Sequence, residues 1–156
     1  VLLPTENVLL RAAIGTLDGD YDSFDYNGED IADRARLLYS PELTANLTME
    51  FYTDLGGGEL IITSSMSFKD EVNTQADWST WNESAGPDVV IESFETLDLS
   101  ATWIRDLGTG TLKLRAYGTD ILEEGNRVSR KFDAGSFSWS ELVPRRQVGF
   151  SVGYDF

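Results

Sequence analysis

Apolar and polar residues alternate with a period of two along most of this chain. The clearest run is Arg145 to Phe156, RRQVGFSVGYDF, in which Val148, Phe150, Val152, Tyr154 and Phe156 share one face of an extended strand. Gln147, Gly149, Ser151, Gly153 and Asp155 share the other. The same alternation predicts a strand from about Val8 to Tyr21, with Val8, Leu10, Ala12 and Ile14 opposite Arg11, Ala13 and Gly15. In Leu37 to Asp54, Leu43, Ala45, Leu47, Met49 and Phe51 oppose Thr44, Asn46, Thr48, Glu50 and Tyr52. Leu60, Ile62, Ser64, Met66 and Phe68 oppose Glu59, Ile61, Thr63, Ser65, Ser67 and Lys69. Two further strands set Leu97, Leu99, Ala101 and Trp103 against Asp98, Ser100 and Thr102, and Leu112, Leu114 and Ala116 against Lys113, Arg115 and Tyr117. Val1 to Leu3 read as the stub of another. The reading is all-β, with about six full strands plus an N-terminal stub.

The connections change the picture. Pro4–Asn7, Leu55–Gly58 and Asp106–Gly110 are short turns, whereas Asp18–Ser40, Val72–Ser93 and Leu122–Pro144 are long loops. Short and long alternate, so every turn lies at one end of the strands and every long loop at the other. A soluble sandwich has no reason to sort its loops by length, but outer-membrane barrels do, with short periplasmic turns and longer extracellular loops. The predicted strands exceed the soluble mode of about 5–6 residues and suit a tilted crossing of about 9–11. Residues 1–156 therefore read as one segment of antiparallel, up-and-down transmembrane barrel strands. The polar face then lines a watery lumen, placing Glu50, Lys69, Asp98, Lys113 and Arg115 there, where charge is natural. Phe51, Phe68, Trp103 and Tyr154, on the apolar face, suit an aromatic girdle.

Composition narrows the chemistry. No run of eighteen apolar residues predicts a transmembrane helix. The chain has no Cys and no His, which removes thiolate catalysis, cysteine metal sites and the commonest general base, so no enzyme, cofactor or metal is expected. A net charge of −15 argues against nucleic-acid binding. The acidic run Asp18 to Asp25, with Glu29, Asp30 and Asp33, has alternating carboxylates of the kind that chelate calcium. It lacks the EF-hand spacing and reads as a solvated surface loop. The loop aromatics Trp78, Trp81, Phe132, Phe137 and Trp139 are candidates for stacking on a sugar ring or an aromatic chelate; the other reading is that they pack the loops together. No signal peptide precedes Val1, so the chain is expected to be mature or a fragment.

Tyr39 to Leu47, YSPELTANL, resembles the Pro-Glu-x-Thr-Ala-x-Leu stretch that opens a late barrel strand in TonB-dependent receptors. Phe94 to Thr102 is similar to the strand after that family's next surface loop, and Leu112 to Gly125 resembles its penultimate strand. Thr119 to Glu124, TDILEE, departs in letters from the usual Asn-Leu-Thr-Asp-Glu ending. Pro144 to Phe150 is similar to the family's Pro-Arg followed by a closing strand, and Val148, Phe150, Val152, Tyr154 and Phe156 resemble the terminal signal read by the barrel-assembly machinery. The resemblance implies the C-terminal part of a barrel of about 22 strands, whose plug domain and TonB box lie outside this sequence. It implies a location in the outer membrane of a Gram-negative bacterium. Its implied partners are outer-membrane lipid, the barrel-assembly machinery, the TonB complex through the plug, and a small-molecule ligand of siderophore-iron, vitamin or carbohydrate class. The acidic loops favour a neutral or cationic ligand over an anionic one. The alternatives are a porin-type or adhesin-type barrel and a soluble carbohydrate-binding β-sandwich.

Overall fold

Alternating residues build the long strands, and a glycine pair closes one of the two-residue turns between them. The computed structural model describes residues 1–76, 90–123, 128–133 and 138–156. Its strands are β1 (Leu2–Thr5), β2 (Val8–Thr16), β3 (Asp25–Tyr26), β4 (Glu29–Asp30), β5 (Leu43–Leu55), β6 (Gly58–Lys69), β7 (Val72–Asn73), β8 (Val90–Ile91), β9 (Phe94–Asp106), β10 (Thr111–Thr119), β11 (Val128–Asp133), β12 (Ser138–Leu142) and β13 (Gln147–Asp155). Among the described residues there is no helix. One seven-stranded antiparallel sheet, in the order β1-β2-β5-β6-β9-β10-β13, carries the fold. It contains the six expected strands and the stub. Between β5 and β6 the chain reverses through Gly56 and Gly57, with φ of 60° and 77°, the left-handed pair that a two-residue hairpin turn requires.

Register divides the sheet into two chemically distinct faces. Glu50 pairs with Leu9 and Thr63, Lys69 with Thr44 and Phe94, Asp98 with Ser65, Lys113 with Ile104 and Gly153, and Arg115 with Thr102 and Ser151. All five lie on the polar face. Val148, Phe150, Val152 and Tyr154 pair with Gly118, Ala116, Leu114 and Leu112 on the opposite, apolar face. Of the expected girdle, Trp103 and Tyr154 stand toward the turn end and Phe68 toward the loop end. Phe51 lies deeper, opposite Val8 and Ile62, because β5 continues four residues past it to Leu55.

Along the central strands β5 and β6 exposure runs opposite to that of a water-soluble sheet, whereas on β10 Lys113, Arg115 and Tyr117 of the polar face are exposed and Leu112 and Leu114 are half-buried. Along β5, Thr44, Asn46, Thr48 and Glu50 are half-buried, while Leu43, Leu47 and Met49 on the other face are exposed. Ile14, Ile62, Met66, Leu99, Phe150 and Val152 extend that exposed apolar surface across the sheet. The fully buried apolar side chains among the described residues are Ile31, Ala35, Val72 and Ile91, and none belongs to the seven-stranded sheet. A sandwich needs a second sheet packed about 10 Å over the apolar face. Among the described residues nothing covers it.

Three expectations are corrected in detail. β2 ends at Thr16 rather than near Tyr21, because the acidic Asp18-Gly19-Asp20 stretch gives no alternating apolar face to extend. The strand expected within Leu37–Asp54 starts only at Leu43: Tyr39 takes a positive φ of 50° and Pro41 lacks the amide a ladder would use. The long connections are not plain loops either, since each contributes strands to one of three two-stranded sheets, β3-β4, β7-β8 and β11-β12.

Candidate functional site

The packed part of the protein is a cap made where the long loops meet. In the first loop, β3 and β4 form a small hairpin whose turn uses Asn27 and Gly28 at positive φ, with Asp25 Oδ1 accepting from the Gly28 amide at 3.0 Å. Beyond it the Ala35 amide donates to the Ile31 carbonyl at 2.9 Å, a single tight turn that brings both residues into the buried cluster. Loop one then runs beside loop two. The Arg36 amide donates to the Ala76 carbonyl at 2.8 Å and the Tyr39 amide to the Asn73 carbonyl at 2.9 Å, with Leu38 bridging parallel to Asn73. The third loop is tied to both, because the Tyr39 hydroxyl donates to the Lys131 carbonyl at 3.3 Å and Lys131 Nζ donates to the Val90 carbonyl at 3.1 Å.

At the base of this cap lies a cleft of about 290 Å³ lined by Leu17, Asp18, Gly19, Asp20, Ala35, Arg36, Leu37, Ser40, Glu42 and Asn73. Its floor is the mouth of the β2-β5 pair, where the Leu17 amide donates to the Glu42 carbonyl at 3.0 Å. Three carboxylates and one guanidinium around a polar hollow can hold a small hydrophilic or cationic molecule by hydrogen bonds. Among the described residues, no three acidic side chains converge as metal ligands.

Asp30 pins the first loop. Its carboxylate accepts from the Phe24 amide at 2.9 Å, the Ala32 amide at 3.1 Å and the Ser23 hydroxyl at 3.1 Å. The Phe24 amide, then the Ala32 amide and the Ser23 hydroxyl hold this carboxyl below the ordinary aspartate value, against the opposing effect of desolvation. A depressed folded-state pKa contributes stability that is present above the unfolded value, about 3.9, and is lost as pH falls through the folded value. Protection of the Phe24 and Ala32 amides, their exchange relative to an unfolded peptide at the same pH, is therefore expected to fall once pH drops below about 4, and Asp30→Asn is expected to remove most of that pH dependence. Identical acid responses in wild type and Asp30→Asn would show that another group controls the loop.

Below the cap the polar face is a wall of hydroxyls and amides. Asn46 Nδ2 donates to Ser67 Oγ at 2.8 Å, and Thr48 and Ser65 share a hydrogen bond of 3.1 Å. Toward the turn end, Glu50 accepts from both Arg11 and Tyr52. Arg11 and Tyr52 were not singled out by sequence, although both fall on the polar side of their strands; Tyr52 is the next residue on the same face of β5, and the β2-β5 register brings Arg11 alongside. Asp98 Oδ1 accepts from the Asp120 amide at 2.8 Å, anchoring the start of loop three, and the Arg115 guanidinium stands 5.3 Å from the Tyr117 ring centre. Lys113 and Arg115 are neighbours along β10, whereas Glu50, Lys69 and Asp98 sit on separate strands.

None of the known proteins compared is similar. Neither a protein-family model, a curated protein nor a solved structure matches this chain. The functional reading therefore rests on the geometry and on the sequence resemblance alone.

The loop candidates divide. Trp78, Trp81 and Phe137 lie outside the described residues. Phe132 is paired with Trp139 in the β11-β12 register, and Trp139 is half-exposed. In the closing strand, Val148, Phe150 and Val152 are well exposed on the apolar face, and Phe156, just past β13, sets its ring edge-on to Tyr154 at 4.9 Å.

Proposed function

We propose that this protein forms part of the wall and outer vestibule of an outer-membrane β-barrel receptor of the TonB-dependent kind, through which a scarce nutrient enters the cell. The observation that carries this reading is a single-layer antiparallel sheet whose apolar face is left open, with the central strands β5 and β6 sheltering their polar residues more than the apolar residues beside them. In water such a face is a liability, while in a bilayer it is the outer wall. Length agrees. The thirteen residues of β5 span about 40 Å at about 3.3 Å each, or about 28 Å when tilted by about 45°, close to the hydrocarbon thickness of about 30 Å.

On this reading the parts have separate work. The apolar face meets lipid, the hydroxyl-rich wall borders the aqueous path, and the loop cap with its acidic cleft receives a hydrophilic ligand of neutral or cationic character. The plug that closes the lumen, and through it the TonB complex, act on the ligand once it is held; no bond in it is made or broken by this chain. The closing strand β13 is the segment the barrel-assembly machinery would recognise.

The absence of cysteine from residues 1–156 makes the test direct, since an introduced thiol is then the only one within them. Ser67→Cys and Met66→Cys place a thiol on opposite faces of β6 at adjacent positions. In reconstituted vesicles a water-soluble maleimide is expected to modify Ser67→Cys and to leave Met66→Cys unmodified until detergent dissolves the bilayer. Equal reaction of both in intact vesicles would refute the membrane-wall reading.

A further inference from the structure

The apolar face carries a single positive charge, and it stands where a lipid headgroup would lie. The cations of the seven-stranded sheet are Arg11, Lys69, Arg105, Lys113 and Arg115. Register puts Arg11 opposite Thr48 on the polar face, together with Lys69, Lys113 and Arg115. Arg105 alone shares a row with Leu112 and Tyr154 on the apolar face. It is exposed, near the turn end of β9, with its guanidinium 6.0 Å from the ring centre of Trp103. The other charged residue on that face, Glu95, is at the opposite, loop end.

The neighbours of Arg105 form an interfacial frame. Trp103 Nε1 donates to the Leu55 carbonyl at 2.7 Å, which fixes the indole against the β5-β6 turn. The Tyr154 hydroxyl shares a hydrogen bond of 3.0 Å with Thr109 in the next turn. Two aromatic rings with their polar atoms turned toward the turns mark the depth at which hydrocarbon gives way to headgroups. The guanidinium also passes over Gly57, where a Cβ would meet its Cζ at 3.7 Å. Asp54, Glu59, Asp106 and Asp155, the acids of this end of the sheet, alternate onto the other face and leave Arg105 uncompensated on the lipid side.

We propose that Arg105, framed by Trp103 and Tyr154, binds the phosphate of an anionic phospholipid in the leaflet at the turn end. The planar fork of donors on arginine matches phosphate oxygens, and short turns of such barrels face the periplasmic, phospholipid side. The site rests on the membrane-wall reading and extends it from a generic apolar belt to a specific headgroup contact.

The test uses the protein reconstituted in phosphatidylcholine vesicles, with spin-labelled phosphatidylglycerol and spin-labelled phosphatidylcholine as competing probes. A basic residue at an anionic surface is worth about fivefold in binding, so wild type is expected to prefer phosphatidylglycerol by about that factor. Arg105→Gln is expected to bring the ratio to about one, Arg105→Lys to keep part of the preference, and Lys113→Gln, on the other face, to leave it unchanged. A parallel variant with Trp78, Trp81 and Trp139 replaced by Phe leaves Trp103 as the lone indole of residues 1–156, to be quenched by brominated lipid. Quenching with an unaltered preference in Arg105→Gln would overturn the headgroup site and leave the wall reading standing. No quenching would remove the wall reading and the site with it.

Discussion

Leu99→Arg is expected to destabilise the protein in a bilayer by about 2–4 kcal/mol, whereas Ser100→Arg, one residue along, is expected to change stability by less than about 1 kcal/mol. Both lie near the middle of β9, and only the face differs: Leu99 pairs with Ser64 on the apolar side and Ser100 with Thr63 and Tyr117 on the polar side. In lipid the Leu99 position offers an arginine neither water nor an anion, and its distance from both ends of the strand leaves little room for the side chain to reach the interface. At Ser100 the same guanidinium enters a wall already furnished with hydroxyls. The measurement is the denaturant midpoint of reconstituted protein, followed by the gel mobility of unheated samples. Equal losses for the two substitutions would mean that both faces are buried in the same kind of medium.

The second large effect belongs to the cap. Ile31 and Val72 are each 1 % exposed, and with Ala35 and Ile91 they form a core contributed by the first two loops. Ile31→Ala removes most of a buried side chain from a site hemmed in by backbone hydrogen bonds on both sides, a change that costs about 2–5 kcal/mol in ordinary cores. The loss is expected to be local, since Ile31 lies outside the seven-stranded sheet and its backbone hydrogen bonds run to Phe24, Arg34 and Ala35 of the same loop. Limited proteolysis should then cut within 17–42 at rates well above wild type, while amides of β5 and β6 keep their slow exchange. Uniform loss of protection across the sheet would show that cap and wall unfold as one unit.

The wall was legible in the sequence because period two is a strong signal when it persists. Leu43 to Phe51 and Leu60 to Phe68 gave both the strands and their facing, and Gly56-Gly57 marked the turn between them. All five charged residues expected on the polar side share it, since alternation fixes facing once one residue is placed. The cap was not legible. Ile31 and Val72 are isolated apolar residues among charged and polar neighbours, Ile91 closes a three-residue apolar run too short to display a period, and what gathers them is contact between distant loops, which no local pattern encodes. The two-residue strands β3, β4, β7 and β8 are likewise too short to display a period. Tyr39 looked like the start of a strand, yet its positive φ and its links to Asn73 and Lys131 make it the knot of three loops.

The order β1-β2-β5-β6-β9-β10-β13 means that each inner strand of the sheet pairs with the sheet strand before it in the chain and with the one after it. A wall made this way has a natural unit of inheritance, the hairpin with its adjoining loop. Adding or deleting one such unit leaves every remaining seam chemically unchanged, because no strand depends on a partner far away in the chain. The width of such a sheet can therefore change by pairs of strands over evolutionary time, while the loops, whose contacts cross between units, must be refitted after every change.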